Sequence, residues 1–176
     1  MMRQVFFLAA VTALSTVSAA HAQITPQKSG TLEVKLRVDS SCEWSPGTGG
    51  ENSNLLLDFG STTLLTTDVD GQTAAAGNDA LTITCSPGAD YALAFDAGEN
   101  GGGEISQRAM SGPAGETIAY QLYSNASRTD VLSTISGEGT GSAVPIPIYG
   151  RVPGRPNGTA PTPGNYTDMV TITLSF

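Results

Sequence analysis

Many short runs of period-two alternation, turn-rich stretches between them and the lack of a convincing amphipathic helix predict an all-β domain, a sandwich or a barrel. The clearest run is residues 31–38, where Leu32, Val34, Leu36 and Val38 alternate without a break against Thr31, Glu33, Lys35 and Arg37. In a strand, this spacing puts four aliphatic side chains on one face and the polar ones on the other. A fully apolar face needs a partner, which is either its own domain or another molecule.

Ahead of that run, residues 1–22 have the layout of a secretory signal peptide. Arg3 supplies the charged start, residues 5–20 are mostly apolar, and Ala20-His21-Ala22 is a small-x-small cleavage site. The stretch is too short and too broken by serine and threonine for a spanning helix. The mature chain is therefore expected to begin near Gln23, outside the cytoplasm, with length for one domain. Without Arg3 it carries seven basic residues against sixteen acidic, a net charge of −9. A surface that negative repels nucleic acid and anionic lipid, so neither is an expected partner.

Cys42 and Cys85 are the only cysteines. In an exported chain such a pair reads as one disulfide, with two buried thiols as the alternative. Further along, residues 54–59 form an apolar run stopped by Gly60. Residues 80–85 alternate Leu81 and Ile83 with threonines. Tyr91, Leu93 and Phe95 alternate with small residues, as do Ile118, Tyr120 and Leu122. Residues 144–149 are apolar but hold Pro145 and Pro147, which cannot donate to a ladder, so they read as an edge strand or a bulge. Val170, Ile172, Leu174 and Phe176 alternate with Thr171, Thr173 and Ser175. Residues 98–103 and 153–163 are rich in turn formers, and residues 98–104 read as a mobile hairpin tip.

The residue inventory argues against catalysis and metal binding. The single histidine, His21, leaves with the signal, so Ser-His-Asp and Cys-His arrangements and the usual zinc sites are excluded. The acidic residues are spread singly, as solvated charges are. Asp68-Val-Asp70-Gly71 opens like a calcium loop but lacks the remaining ligands at the required spacing. No cofactor and no metal are expected. Asn125, Asn157 and Asn165 begin glycosylation sequons, a pattern that chance supplies freely.

Taken together, several motifs resemble the spore coat protein U domain family and, within it, the Csu-type (archaic) chaperone–usher pilins. They are residues 30–42, Leu57-Asp-Phe-Gly60, residues 83–85, Ile118-Ala-Tyr-Gln-Leu-Tyr123, Ala126-Ser-Arg-Thr129, residues 144–151 with their Tyr149-Gly-Arg151, and residues 164–176. The chain departs from that pattern at Asn125, where members often carry an acid, and at Leu132, where they often carry tryptophan. The resemblance implies an incomplete immunoglobulin-like β-sandwich completed by a donated strand. Residues 23–41 would be the donor extension and residues 42–176 the domain.

From pattern alone, residues 31–38 are an ordinary first strand folded in cis; the resemblance turns them into a strand donated in trans. Leu32, Val34, Leu36 and Val38 become donor knobs, worth on the order of 6–12 kcal/mol before ordering costs. Val170, Ile172, Leu174 and Phe176 then line the groove strand. The chain stops at Phe176, which is expected to leave that strand with an open edge. A Cys42–Cys85 bridge would pin the first domain strand directly behind the donor.

The implied partners are a periplasmic chaperone, an outer-membrane usher and neighbouring copies of the chain. The implied setting is a cell-surface pilus serving adhesion and biofilm formation. The alternatives are a secreted spore-coat or outer-surface structural protein, or a glycan-binding adhesin domain.

Overall fold

The computed structural model describes residues 27–45, 55–75 and 80–176. The expected signal peptide lies outside them, as does the first residue of the 54–59 run. Among the described residues no helix is long and apolar enough to cross a membrane. The chain divides into two units, Met1–Arg37 and Val38–Phe176. In the first, residues 27–37 are exposed and carry no assigned secondary structure.

Among the described residues the second unit holds eleven short strands, the all-β class that the alternation predicts. They are β1 (Cys42–Ser45), β2 (Val69–Gln72), β3 (Thr82–Cys85), β4 (Asp90–Phe95), β5 (Ala109–Ser111), β6 (Thr117–Ala119), β7 (Gln121–Tyr123), β8 (Thr134–Glu138), β9 (Val144–Pro145), β10 (Tyr149–Val152) and β11 (Ile172–Ser175). The sheets run β1-β3-β9, β2-β10-β7, β11-β4-β8 and β5-β6. Every ladder between these strands is antiparallel. Two single-turn 3₁₀ helices, Ile105–Gln107 and Pro113–Gly115, interrupt the loops.

One core joins the three larger sheets, with Ile83 and Cys85 from β3, Leu93 and Phe95 from β4, and Leu122 and Val152 from β7 and β10. The buried positions of β4 are Tyr91, Leu93 and Phe95, the set expected from its alternation. Ile118, Tyr120 and Leu122 are buried too, but the backbone carrying them changes partner midway. β6 pairs with β5, and β7, beyond Tyr120, pairs with β10. The inward period survives the switch because it depends on side-chain direction, not on which strand lies alongside.

Residues 144–152 cross between sheets in the same way. β9 holds the edge beside β3, where Pro145 costs no ladder bond, and after Pro147 the chain enters β10. Cys42 and Cys85 are register partners at the end of the β1–β3 pair and are disulfide-bonded.

Two glycines shape the sheet of β2, β10 and β7. Gly71 and Gly150 face each other across β2 and β10, leaving a hollow that Leu57 and Phe59 fill. A Cβ on Gly150 would lie 2.8 Å from the Phe59 ring and 3.0 Å from Leu57. Gly150→Ala is therefore expected to destabilise the domain by about 1–3 kcal/mol, read as a shift in the urea midpoint at unchanged slope.

Candidate functional site: an apolar cleft beside an open sheet edge

The domain holds a cleft of about 930 Å³. Its buried lining includes Leu81, Phe95, Leu122, Ile148 and Val152, all core residues. Its more exposed lining comes from residues 55–63 and 161–170 together with Ile172, and Trp44 of β1 also contributes. Among the described residues the only charged groups lining it are two carboxylates, Asp58 and Asp168.

Residues 55–60 are strand-like without being a strand. Leu55, Leu57 and Phe59 are half-buried against the core, while Leu56, Asp58 and Gly60 are exposed. No ladder is assigned to the run. Side-chain packing holds it instead: Leu57 and Phe59 sit over the glycine hollow, and the Phe59 ring meets Tyr120 edge-on with centroids 6.2 Å apart. The Asp58 carboxylate accepts the Gly60 amide at 2.7 Å, closing a small turn. The run is followed by Leu65, which is buried, and whose carbonyl accepts the Arg155 amide.

The segment leading into β11 is held by Asp168. Its carboxylate accepts the Tyr120 hydroxyl at 2.7 Å, the Glu99 and Asn100 amides at 3.0 and 3.3 Å, and the Asn100 side-chain amide at 2.9 Å. Residues 98–100, read from sequence as part of a hairpin tip, are thereby tied to the wall of the cleft. Burial, and then the hydrogen bond to Asp168, push the Tyr120 phenol well above its usual range, so it stays a donor.

Beneath this wall lies Arg108, fully buried, which the sequence reading did not single out. Its guanidinium donates to the carbonyls of Asp96, Leu132 and Phe95 and to the Gln121 side-chain oxygen. Burial lowers its pKa, opposed by the nearby Tyr120, Asp96 and Asp168. Among the described residues every buried side-chain polar atom has a partner.

The carboxylates of the calcium-like opening have a different use. Asp70 accepts Arg151 through both oxygens, at 2.7 and 2.9 Å, and Arg128 lies 3.3 Å away. Asp68 accepts the Gly154 amide. The hydrogen bond from Arg151, and then the Arg128 charge, hold the Asp70 carboxyl below its ordinary 3.8 despite some burial. A carboxyl depressed in the folded state contributes stability above its unfolded value and loses it as pH falls through the folded value. The acid limb of the stability profile below about pH 4 is expected to be shallower in Asp70→Asn, measured by denaturation at stepped pH.

The predicted site residues fall as follows. Leu32, Val34, Leu36 and Val38 are 82–88% exposed. Val170 and Ile172 line the cleft, Leu174 packs half-buried on the core, and Phe176 is exposed. β11 is an edge strand, paired with β4. At the two departures from the family pattern, the Asn125 side chain accepts the Thr129 and Asp130 amides, and Leu132 is buried in the core. Sequence reasoning singled out parts of 55–63 and 161–168 but missed that they share one cleft, because their juxtaposition has no local signature.

Antiparallel sheets around one core, with an apolar cleft near a sheet edge, define an all-β module. The chain belongs to the Spore Coat Protein U domain family, whose profile matches residues 28–173. It is a structural, non-enzymatic protein. Among solved structures it is similar to one chain of the CsuC–CsuE chaperone–tip adhesion subunit pre-assembly complex from the archaic chaperone–usher Csu pili of Acinetobacter baumannii. That match has a TM-score of 0.47 at 15% identity and covers 79% of this chain and 40% of that one. The chain thus spans about two fifths of the length of the solved chain it matches. At that distance the likeness carries no functional assignment. No curated protein matches the chain.

Proposed function

We propose that this chain is a pilus subunit that polymerises by donor-strand exchange, each copy filling the cleft of its neighbour with residues 31–38. In this reading it is exported through the periplasm, a chaperone holds the cleft until an outer-membrane usher receives the subunit, and the assembled fibre serves adhesion and biofilm formation. One observation carries the reading: four alternating aliphatic side chains stand 82–88% exposed in a chain whose domain has an apolar cleft beside an edge strand. Four such side chains left in water are a liability unless another molecule covers them. Strand addition suits both halves, since the ladder supplies affinity and alternate side chains supply register.

The test compares the mature chain with a form lacking residues 23–38, each produced with the chaperone. Fibres are expected from the first. The shortened form is expected to bind a synthetic peptide of residues 27–41 without polymerising. Fibres from the shortened form, or a full chain that stays monomeric once the chaperone is removed, would overturn the reading.

A further inference from the structure

Charge is distributed unevenly along the chain. Residues 42–176 contain no lysine and four arginines against fourteen acids, a net charge of −10. All four arginines are engaged inside the domain: Arg108 on buried carbonyls, Arg128 and Arg151 on Asp70, and Arg155 on the Thr117 carbonyl. Residues 27–41 carry Lys28, Lys35 and Arg37 against Glu33 and Asp39, a net charge of +1.

The two acids of the cleft are not equivalent. Asp168 is half-buried and already accepts from Glu99, Asn100 and Tyr120. Asp58 is exposed, on the outer side of a run whose inner side chains are Leu57 and Phe59. A strand laid in the cleft with Leu32, Val34, Leu36 and Val38 inward turns Glu33, Lys35 and Arg37 outward, a net charge of +1, to the side that Asp58 occupies. Groups on the same side of neighbouring extended segments are those that pair.

We propose that Asp58 is a specificity-determining residue of the cleft, selecting an incoming strand whose outer side is basic at Lys35 and Arg37 of a second copy. This rests on the donation reading above and adds a charge criterion to its shape criterion. Lys35 pairs with Glu33 at 2.8 Å within its own segment, both side chains about three-quarters exposed. So exposed a pair is weak and exchanges readily for Asp58.

The test uses the full chain in complex with the chaperone, which keeps neighbouring copies out of the cleft, as acceptor and a capped peptide of residues 27–41 as probe. Trp44, the chain's single tryptophan, lines the cleft, and the peptide has none, so its fluorescence reports entry. At about 10 mM salt, a peptide carrying Lys35→Glu and Arg37→Glu is expected to bind about fivefold more weakly than the natural peptide, and at about 1 M salt the two converge. Asp58→Asn, which keeps an oxygen for the Gly60 amide, is expected to erase the difference, and Asp58→Lys to reverse the preference. Equal binding of both peptides at low salt, or a preference that survives Asp58→Asn, overturns the assignment of Asp58 while leaving donation intact. Failure of both peptides to bind at any salt overturns donation itself, and this proposal with it.

Discussion

Subunits carrying Leu36→Asp are expected to fold with an unchanged denaturation midpoint and to form no fibres. Leu36 is 88% exposed in the chain, so replacing it removes no packing from the domain. In the donated position the same side chain would be buried among the cleft's aliphatic residues. Losing it forfeits about 1.5–3 kcal/mol of apolar burial. A carboxylate forced into that environment adds several kcal/mol more or is protonated at similar cost. The sum corresponds to an affinity loss of about a thousandfold or greater. Electron microscopy of assembly mixtures, with thermal melts of the same preparations, reads both halves. Equal loss of stability and assembly would return residues 31–38 to the domain's own sheet.

Arg108→Ala is expected to cost the domain about 4 kcal/mol or more, a large effect for one substitution. The guanidinium donates to three carbonyls and the Gln121 side chain in a site closed to water. Removing it leaves those acceptors without their donor and opens a cavity of side-chain size, two penalties that add. Arg108→Lys keeps the charge but not the planar fork that spans the acceptors, so an intermediate loss is expected. Denaturant unfolding of the three proteins orders them. A loss under about 1 kcal/mol for alanine would mean that water enters and serves the carbonyls.

Those two expectations also mark where the sequence was legible. Alternation identified the inward residues of β3, β4 and the 118–122 run, and the aliphatic comb at 31–38, because period two is a local property. It missed β2, β5 and β8. Val-Asp-Gly-Gln and Thr-Ile-Ser-Gly-Glu have little apolar contrast, and their pairing with β10 and β4 makes them strands. Gly137 of β8 looks like a turn residue, yet it lies mid-ladder because the Tyr91 ring occupies the space a Cβ would take.

The cleft walls were partly visible, as the 54–59 run and the C-terminal alternation, but nothing local says that 55–63 and 161–170 share one opening. Arg108 was invisible for a general reason: a lone arginine defaults to the surface, and only assembled backbone carbonyls make its burial tolerable. The hairpin-tip reading of 98–104 failed in part because Asp168, far along the chain, supplies the clamp.

The Cys42–Cys85 bond fixes how the molecule meets a mechanical pull. Tension applied at Gln27 and Phe176 reaches Cys42 along a short leash and crosses the sulfurs directly into β3. The sequence separation of 43 between the two cysteines is thus removed from the load path. At about 3.5 Å per residue, an oxidised molecule stretched to full extension is expected to be about 15 nm shorter than a reduced one. Whatever stress the leading segment transmits, β1 beyond Cys42, Gly71 and the first wall of the cleft sit on a slack branch, sheltered by one covalent shortcut, while Gly150 stays on the loaded one.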